Sequence, residues 1–71
     1  MSIRGLAFGS LRTGKKYRLI NYGDRYDFEL EDILPDGDFM VKDLHTLERF
    51  RLKDTIRFGK GRDFEIREID G

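Results

Sequence analysis

The chain has no cysteine, no tryptophan, one proline and one histidine among its 71 residues. Without cysteine there is no disulfide and no thiolate zinc site to reinforce a small fold. The one histidine, His45, stands in a turn beside Thr46 with no nucleophile near it in sequence, so no catalytic residue is assigned and no enzyme is expected. Asp36-Gly37-Asp38 has two acidic positions but not the further ligands or the distant glutamate of a calcium loop, so no metal is assigned. Glu29, Glu31 and Asp32 read as a solvated strand face rather than paired catalytic carboxylates. No cofactor is expected. No run of about 18 apolar residues is present, which excludes a membrane-spanning helix. The first eight residues carry one early positive charge but no apolar core and no small-residue cleavage site, so a cytoplasmic location is the expectation. Lastly, 14 basic residues against 14 acidic ones leave no net charge, and so no global pull toward a polyanion.

What the chain does have is aromatic residues, six Phe and three Tyr. A domain this small buries only about 60% of its unfolded surface, so these rings are the natural material of its core. Alternation supplies the strands. Tyr17 and Leu19 alternate with Lys16, Arg18 and Ile20. Tyr26, Phe28 and Leu30 alternate with Asp27, Glu29 and Glu31. Phe39 and Val41 alternate with Met40 and Lys42, Phe50 and Leu52 with Arg49 and Arg51, and Phe64 and Ile66 with Glu65 and Arg67. Between them lie the turns Asn21-Tyr22-Gly23-Asp24, Pro35-Asp36-Gly37-Asp38 and Leu44-His45-Thr46-Leu47. Asp54-Thr55-Ile56-Arg57-Phe58 reads as one short helical turn, ended by Gly59-Lys60-Gly61. No segment keeps a helical period over ten residues.

The fold class is therefore all-β: a five-stranded small barrel with one short 3-10 turn before the last strand. Its core would be Tyr17, Leu19, Tyr26, Phe28, Leu30, Phe39, Val41, Phe50, Leu52, Ile56, Phe64 and Ile66. Residues 1–14, with Gly5, Gly9 and Gly14, form an irregular arm whose Leu6, Phe8 and Leu11 are able to tuck onto the barrel formed by residues 15–71. This order of strands and turns resembles the SH3-like barrel, and Lys15 to Ile69 is similar to short uncharacterised bacterial proteins of that fold. The chain lacks the Ala-Leu-Tyr-type stretch and the Trp of signalling SH3 domains, so polyproline binding is not implied. A second likeness is to Sm-like RNA-binding barrels, which Asp36 to Met40, Asp43 to His45 and Ile56 to Gly61 resemble; the chain has no N-terminal helix, and its spacing after the fourth strand is longer.

Net neutrality hides segregation. Residues 1–20 sum to +5, residues 21–40 to −6, residues 41–60 to +3 and residues 61–71 to −2. Pairing of the first two strands sets Lys16 and Arg18 against Asp27, Glu29 and Glu31, which absorbs that cluster. Arg49 and Arg51 instead face Met40, Lys42 and Leu44, none of them acidic. Lys42, Arg49, Arg51, Lys53 and Arg57 are thus expected to form an uncompensated positive stripe, extended by Lys60 and Arg62. Such a stripe serves either an anionic partner or the protection of an edge strand. The segment 57–62 mixes basic, aromatic and glycine residues, with Phe58 as a stacking candidate and Tyr22 as a second. The leading expectation is a non-catalytic, monomeric binding module for RNA. The rival is a protein-interaction adaptor using exposed aromatics, Leu47 and the N-terminal arm.

Overall fold

A computed structural model describes residues 6–69. Its elements are a 3-10 turn, η1 (Phe8–Ser10), then β1 (Lys16–Asn21), β2 (Asp24–Ile33), β3 (Phe39–Asp43), β4 (Arg49–Arg51), a second 3-10 turn, η2 (Leu52–Ile56), and β5 (Glu65–Glu68). All strand pairings are antiparallel, in one sheet of order β4-β3-β2-β1-β5. The five expected strands are present, and a 3-10 turn precedes the last, but it spans Leu52–Ile56 rather than residues 54–58 and so takes Leu52 from the fourth strand. The sheet is not closed: β4 and β5 are its two ends, and they are three and four residues long. No helix among the described residues is long and apolar enough to cross a membrane.

Turn chemistry sets the register. Asn21 pairs with Asp24, leaving a two-residue hairpin in which Tyr22 and Gly23 both have positive φ, at 51° and 78°. That geometry follows the right-handed twist of the flanking strands. It suits Gly23 and strains Tyr22, a bulky residue in the left-handed region. In the next turn the Gly37 N–H donates to the Leu34 carbonyl and Gly37 takes φ 89°.

One apolar layer covers the inner face. Tyr17, Leu19, Phe28, Leu30, Phe39, Val41, Leu52 and Ile66 are buried, and Tyr26, Phe50 and Phe64 pack half-buried against them. Ile56 differs from expectation: it is half-buried and lies outside this cluster, while Leu52 of the same turn is buried as expected. The arm adds Leu11, which is buried, and Phe8, stacked on Phe39 at 6.0 Å. The Tyr17 hydroxyl accepts from the Arg12 N–H at 2.9 Å, which lets a phenol sit in the core.

Asp27 alternates outward as expected yet is buried, because two guanidinium groups and an imidazole close over it. Arg18 grips it with Nε at 2.8 Å and Nη2 at 3.3 Å; His45 Nε2 lies at 3.4 Å and Arg25 Nε at 3.9 Å. Arg18 holds the Asp27 carboxyl below the usual carboxylate range, against burial, which pushes it up. Backbone N–H donors do the same for Asp36 and Asp43. A carboxyl lowered on folding stabilises the fold above its unfolded value, near 4, and that stability is lost as pH falls through the folded value. Urea midpoints are therefore expected to stay level from neutral pH to about pH 5 and to drop in stronger acid. Asp27→Asn should be less stable than the parent at neutral pH, and the gap should narrow in acid. A constant gap across the titration would contradict this assignment of Asp27.

Candidate functional site

The predicted basic residues separate into two groups. Lys42, Arg49 and Arg51 lie on the outer face of β3 and β4 in the expected register, Lys42 opposite Arg49 and Met40 opposite Arg51. They are not uncompensated. Arg49 donates to both oxygens of Glu31, at 2.6 Å and 3.4 Å, and Lys42 Nζ stands 4.0 Å from the same carboxylate. Arg51 donates to Asp36 Oδ2 at 2.7 Å and lies 3.8 Å from Asp38. The compensation comes from beyond the neighbouring strand. Glu31 is the extra residue of a bulge in β2 and reaches across β3, while Asp36 and Asp38 stand in the β2–β3 turn. Exposed pairs of this kind contribute about 0.2–1 kcal/mol each, but they occupy the donors that a phosphate would need.

The second group keeps its charge. Among the described residues no carboxylate comes within ion-pair distance of Lys53, Arg57, Lys60 or Arg62. All four come from one stretch, η2 and the loop after it. Lys60 Nζ sits 5.2 Å from the Phe8 ring centre and 5.0 Å from that of Phe64, and Lys53 Nζ lies 5.8 Å from Phe8. Two ammonium groups thus share one half-buried ring. The Arg57 guanidinium lies 4.9 Å from the ring centre of Phe58, whose residue is 81% exposed. Phe58 therefore does not plug the core; it stands in solvent with a cation beside it.

Tyr22 belongs to the same surface. It is 58% exposed, and its hydroxyl donates to the Phe58 carbonyl at 3.2 Å. Its ring packs on Gly61 so closely that a Cβ there would lie 2.9 Å from it. Two side chains lock hairpin and loop together. The Asp63 carboxylate accepts from the Tyr22 N–H at 2.9 Å and the Gly23 N–H at 2.7 Å. The buried Asn21 amide donates to the Thr55 and Gly59 carbonyls, at 3.0 Å and 3.1 Å, and its oxygen accepts from the Gly61 N–H at 2.7 Å. Asn21 and Asp63 were not singled out as site residues. Their role depends on contacts about 40 positions away in sequence, and only the turn-forming tendency of Asn hints at it.

The adaptor elements fare differently. Phe8 and Leu11 of the arm are spent on the core, and the Leu6 N–H donates to the Ile66 carbonyl of β5 at 2.6 Å. Residues 1–5 lie outside the described residues. Leu47 stays 63% exposed with φ 64°, on a turn whose His45 and Thr46 N–H groups donate to Asp43. No group of acidic or His side chains able to hold a metal occurs among the described residues. Comparison with protein-family models, curated proteins and solved structures finds no match, so the functional reading rests on this surface.

Proposed function

We propose that the chain is a non-catalytic, cytoplasmic, monomeric binding module for single-stranded nucleic acid, most simply RNA, built on an SH3-like barrel. The barrel reading is supported by β5 pairing back onto β1 and by the 3-10 turn before it. The observation that carries the function is the cation–aromatic surface of Lys53, Arg57, Phe58, Lys60 and Arg62 with Tyr22, where four cations have no carboxylate within ion-pair distance among the described residues. Phosphates neutralise the cations, and a base lies on the exposed Phe58 ring beside Arg57. Phosphate contact and ring stacking read little sequence. Lys42, Arg49 and Arg51 contribute at most at long range, since ion pairs hold them.

Fluorescence anisotropy with labelled oligouridine tests this. Four phosphate contacts give a log–log salt slope of about −3, a loss on the order of 50-fold between roughly 50 and 200 mM salt. Phe58→Ala should weaken binding by about 5- to 150-fold, the range of one stacked base. The double change Arg49→Gln/Arg51→Gln should leave affinity near that of the parent. Absence of binding at low salt, or binding indifferent to Phe58→Ala, rejects the reading.

A further inference from the structure

A groove of about 510 Å³ runs between the β3–β4 turn and η2. Its floor is the pair Tyr26 and Phe50, half-buried rings with centres 6.4 Å apart and planes inclined at 49°. These side chains point to the core face but lie beyond what η2 and the three-residue β4 cover.

The charges around the groove are unequal in availability. The Asp43 carboxylate is engaged by the N–H groups of its own turn, and Arg49 is held by Glu31. Arg57 also lines the groove, against Phe58, and is a cation with no carboxylate within ion-pair distance among the described residues. Glu48 and Asp54 remain, lining the groove with no cation within ion-pair distance among the described residues. Two carboxylates, Glu48 and an Asp54 that also feels Arg51 at longer range, outnumber the one unpaired cation of the lining, and above two aromatic faces they favour a cation, which gains both Coulombic and ring attraction when partly desolvated. They disfavour a phosphate chain. A volume of this size accepts one or two long side chains.

The backbone beside the groove adds direction. The Asp43 N–H donates to the Glu48 carbonyl, so Asp43 and Glu48 form a hydrogen-bonded pair of the ladder. By antiparallel alternation Val41 and Phe50 form the next one, and the N–H and C=O of Arg49 and the N–H of Arg51 face away from β3, while the Arg51 carbonyl, at the N-cap of η2, accepts that turn's first hydrogen bond. No described strand pairs with that outer side. An extended chain is able to add there, with alternate side chains directed to one face.

From this we infer that the groove is a docking site for an extended basic peptide, which seats an Arg or Lys side chain over Tyr26 and Phe50 between Glu48 and Asp54. This is a partner of opposite charge to the nucleic acid proposed for the 53–62 surface; Arg57 borders both, and the Phe58 and Glu48/Asp54 variants tell the failure of one reading from that of the other. The test is an NMR titration of the full chain with a short acetylated peptide of alternating Arg and Val, and with its Gln-Val counterpart. Expected are saturable shifts centred on Tyr26, Thr46, Glu48, Phe50 and Thr55, and binding about tenfold or more weaker for the Gln peptide. Glu48→Gln/Asp54→Gln, both exposed, should reduce affinity for the Arg peptide by a similar factor while melting temperature and oligouridine affinity hold. Equal binding of the two peptides, an unaffected double variant, or no shifts at about 1 mM peptide overturns the inference. Displacement of the peptide by oligouridine from the groove residues also overturns it, and assigns the groove to the nucleic-acid surface.

Discussion

Phe28→Ala is expected to leave most molecules unfolded at room temperature. Phe28 is fully buried at the centre of β2, the middle strand of the sheet, between β1 and β3. It stands opposite Tyr17 across the ladder, ring centres 5.9 Å apart. Truncating such a ring costs about 3–5 kcal/mol, from lost burial and from the cavity left behind. A single core of this size rarely supplies more than about 3–5 kcal/mol net. The two magnitudes are alike, so the equilibrium shifts to the unfolded side rather than merely weakening. Circular dichroism should show little native signal at any temperature. Phe58→Ala serves as the contrast: it removes a ring of the same size from an 81% exposed position and should leave the melting midpoint in place. Reversible melting of Phe28→Ala at the parental midpoint would contradict the core assignment.

The strands were legible because their information is local. In β2, strict alternation of Tyr26, Phe28 and Leu30 with acids names both the element and its inner face. Asn21-Tyr22-Gly23-Asp24 and Pro35-Asp36-Gly37-Asp38 announce turns because Gly23 and Gly37 take positive φ there. The bulge at Leu30–Asp32 left no mark in the pattern, since acids fill both Glu31 and Asp32. The ion pairs of Arg49 and Arg51 were missed for a related reason. Strand alternation reveals only the residues that face each other on adjacent strands, whereas Glu31 reaches over an intervening strand and Asp36 reaches in from a turn. Burial of Asn21 and Asp27 was equally hidden, because each polar group is buried by partners distant in sequence. The segment 57–62 did announce itself, by cations, an aromatic and glycines in one short run. Its composition did not reveal that Tyr22 lies against it, which follows from the path of β5 back to β1.

Asn21→Ala is expected to have the other large effect, and it connects stability to the candidate surface. Asn21 is 2% exposed and satisfies three backbone groups, the Thr55 and Gly59 carbonyls and the Gly61 N–H. Alanine leaves all three without a protein partner. Each buried unsatisfied group costs about 1–3 kcal/mol, and water reaching the loop offsets part of that, so a loss of about 2–4 kcal/mol follows. Denaturant unfolding measures the loss, and hydrogen exchange locates it, with the Gly61 amide losing protection first. Oligouridine affinity should fall under conditions where the variant is still folded, because the loop no longer presents Arg57, Phe58, Lys60 and Arg62 in one arrangement. Asn21→Asp separates hydrogen bonding from shape. The carboxyl keeps the acceptor for Gly61 but sets a negative oxygen where the amide donated to two carbonyls. That raises its folded pKa above the unfolded value, and a raised pKa means stability that is present in acid and lost as pH rises. Asn21→Asp should therefore approach the parent as pH falls, opposite in sign to the loss that Asp27 contributes in acid, whereas Asn21→Ala should show no such recovery. Parallel pH profiles for the Ala and Asp variants would mean that the Asn21 amide does not hold the loop.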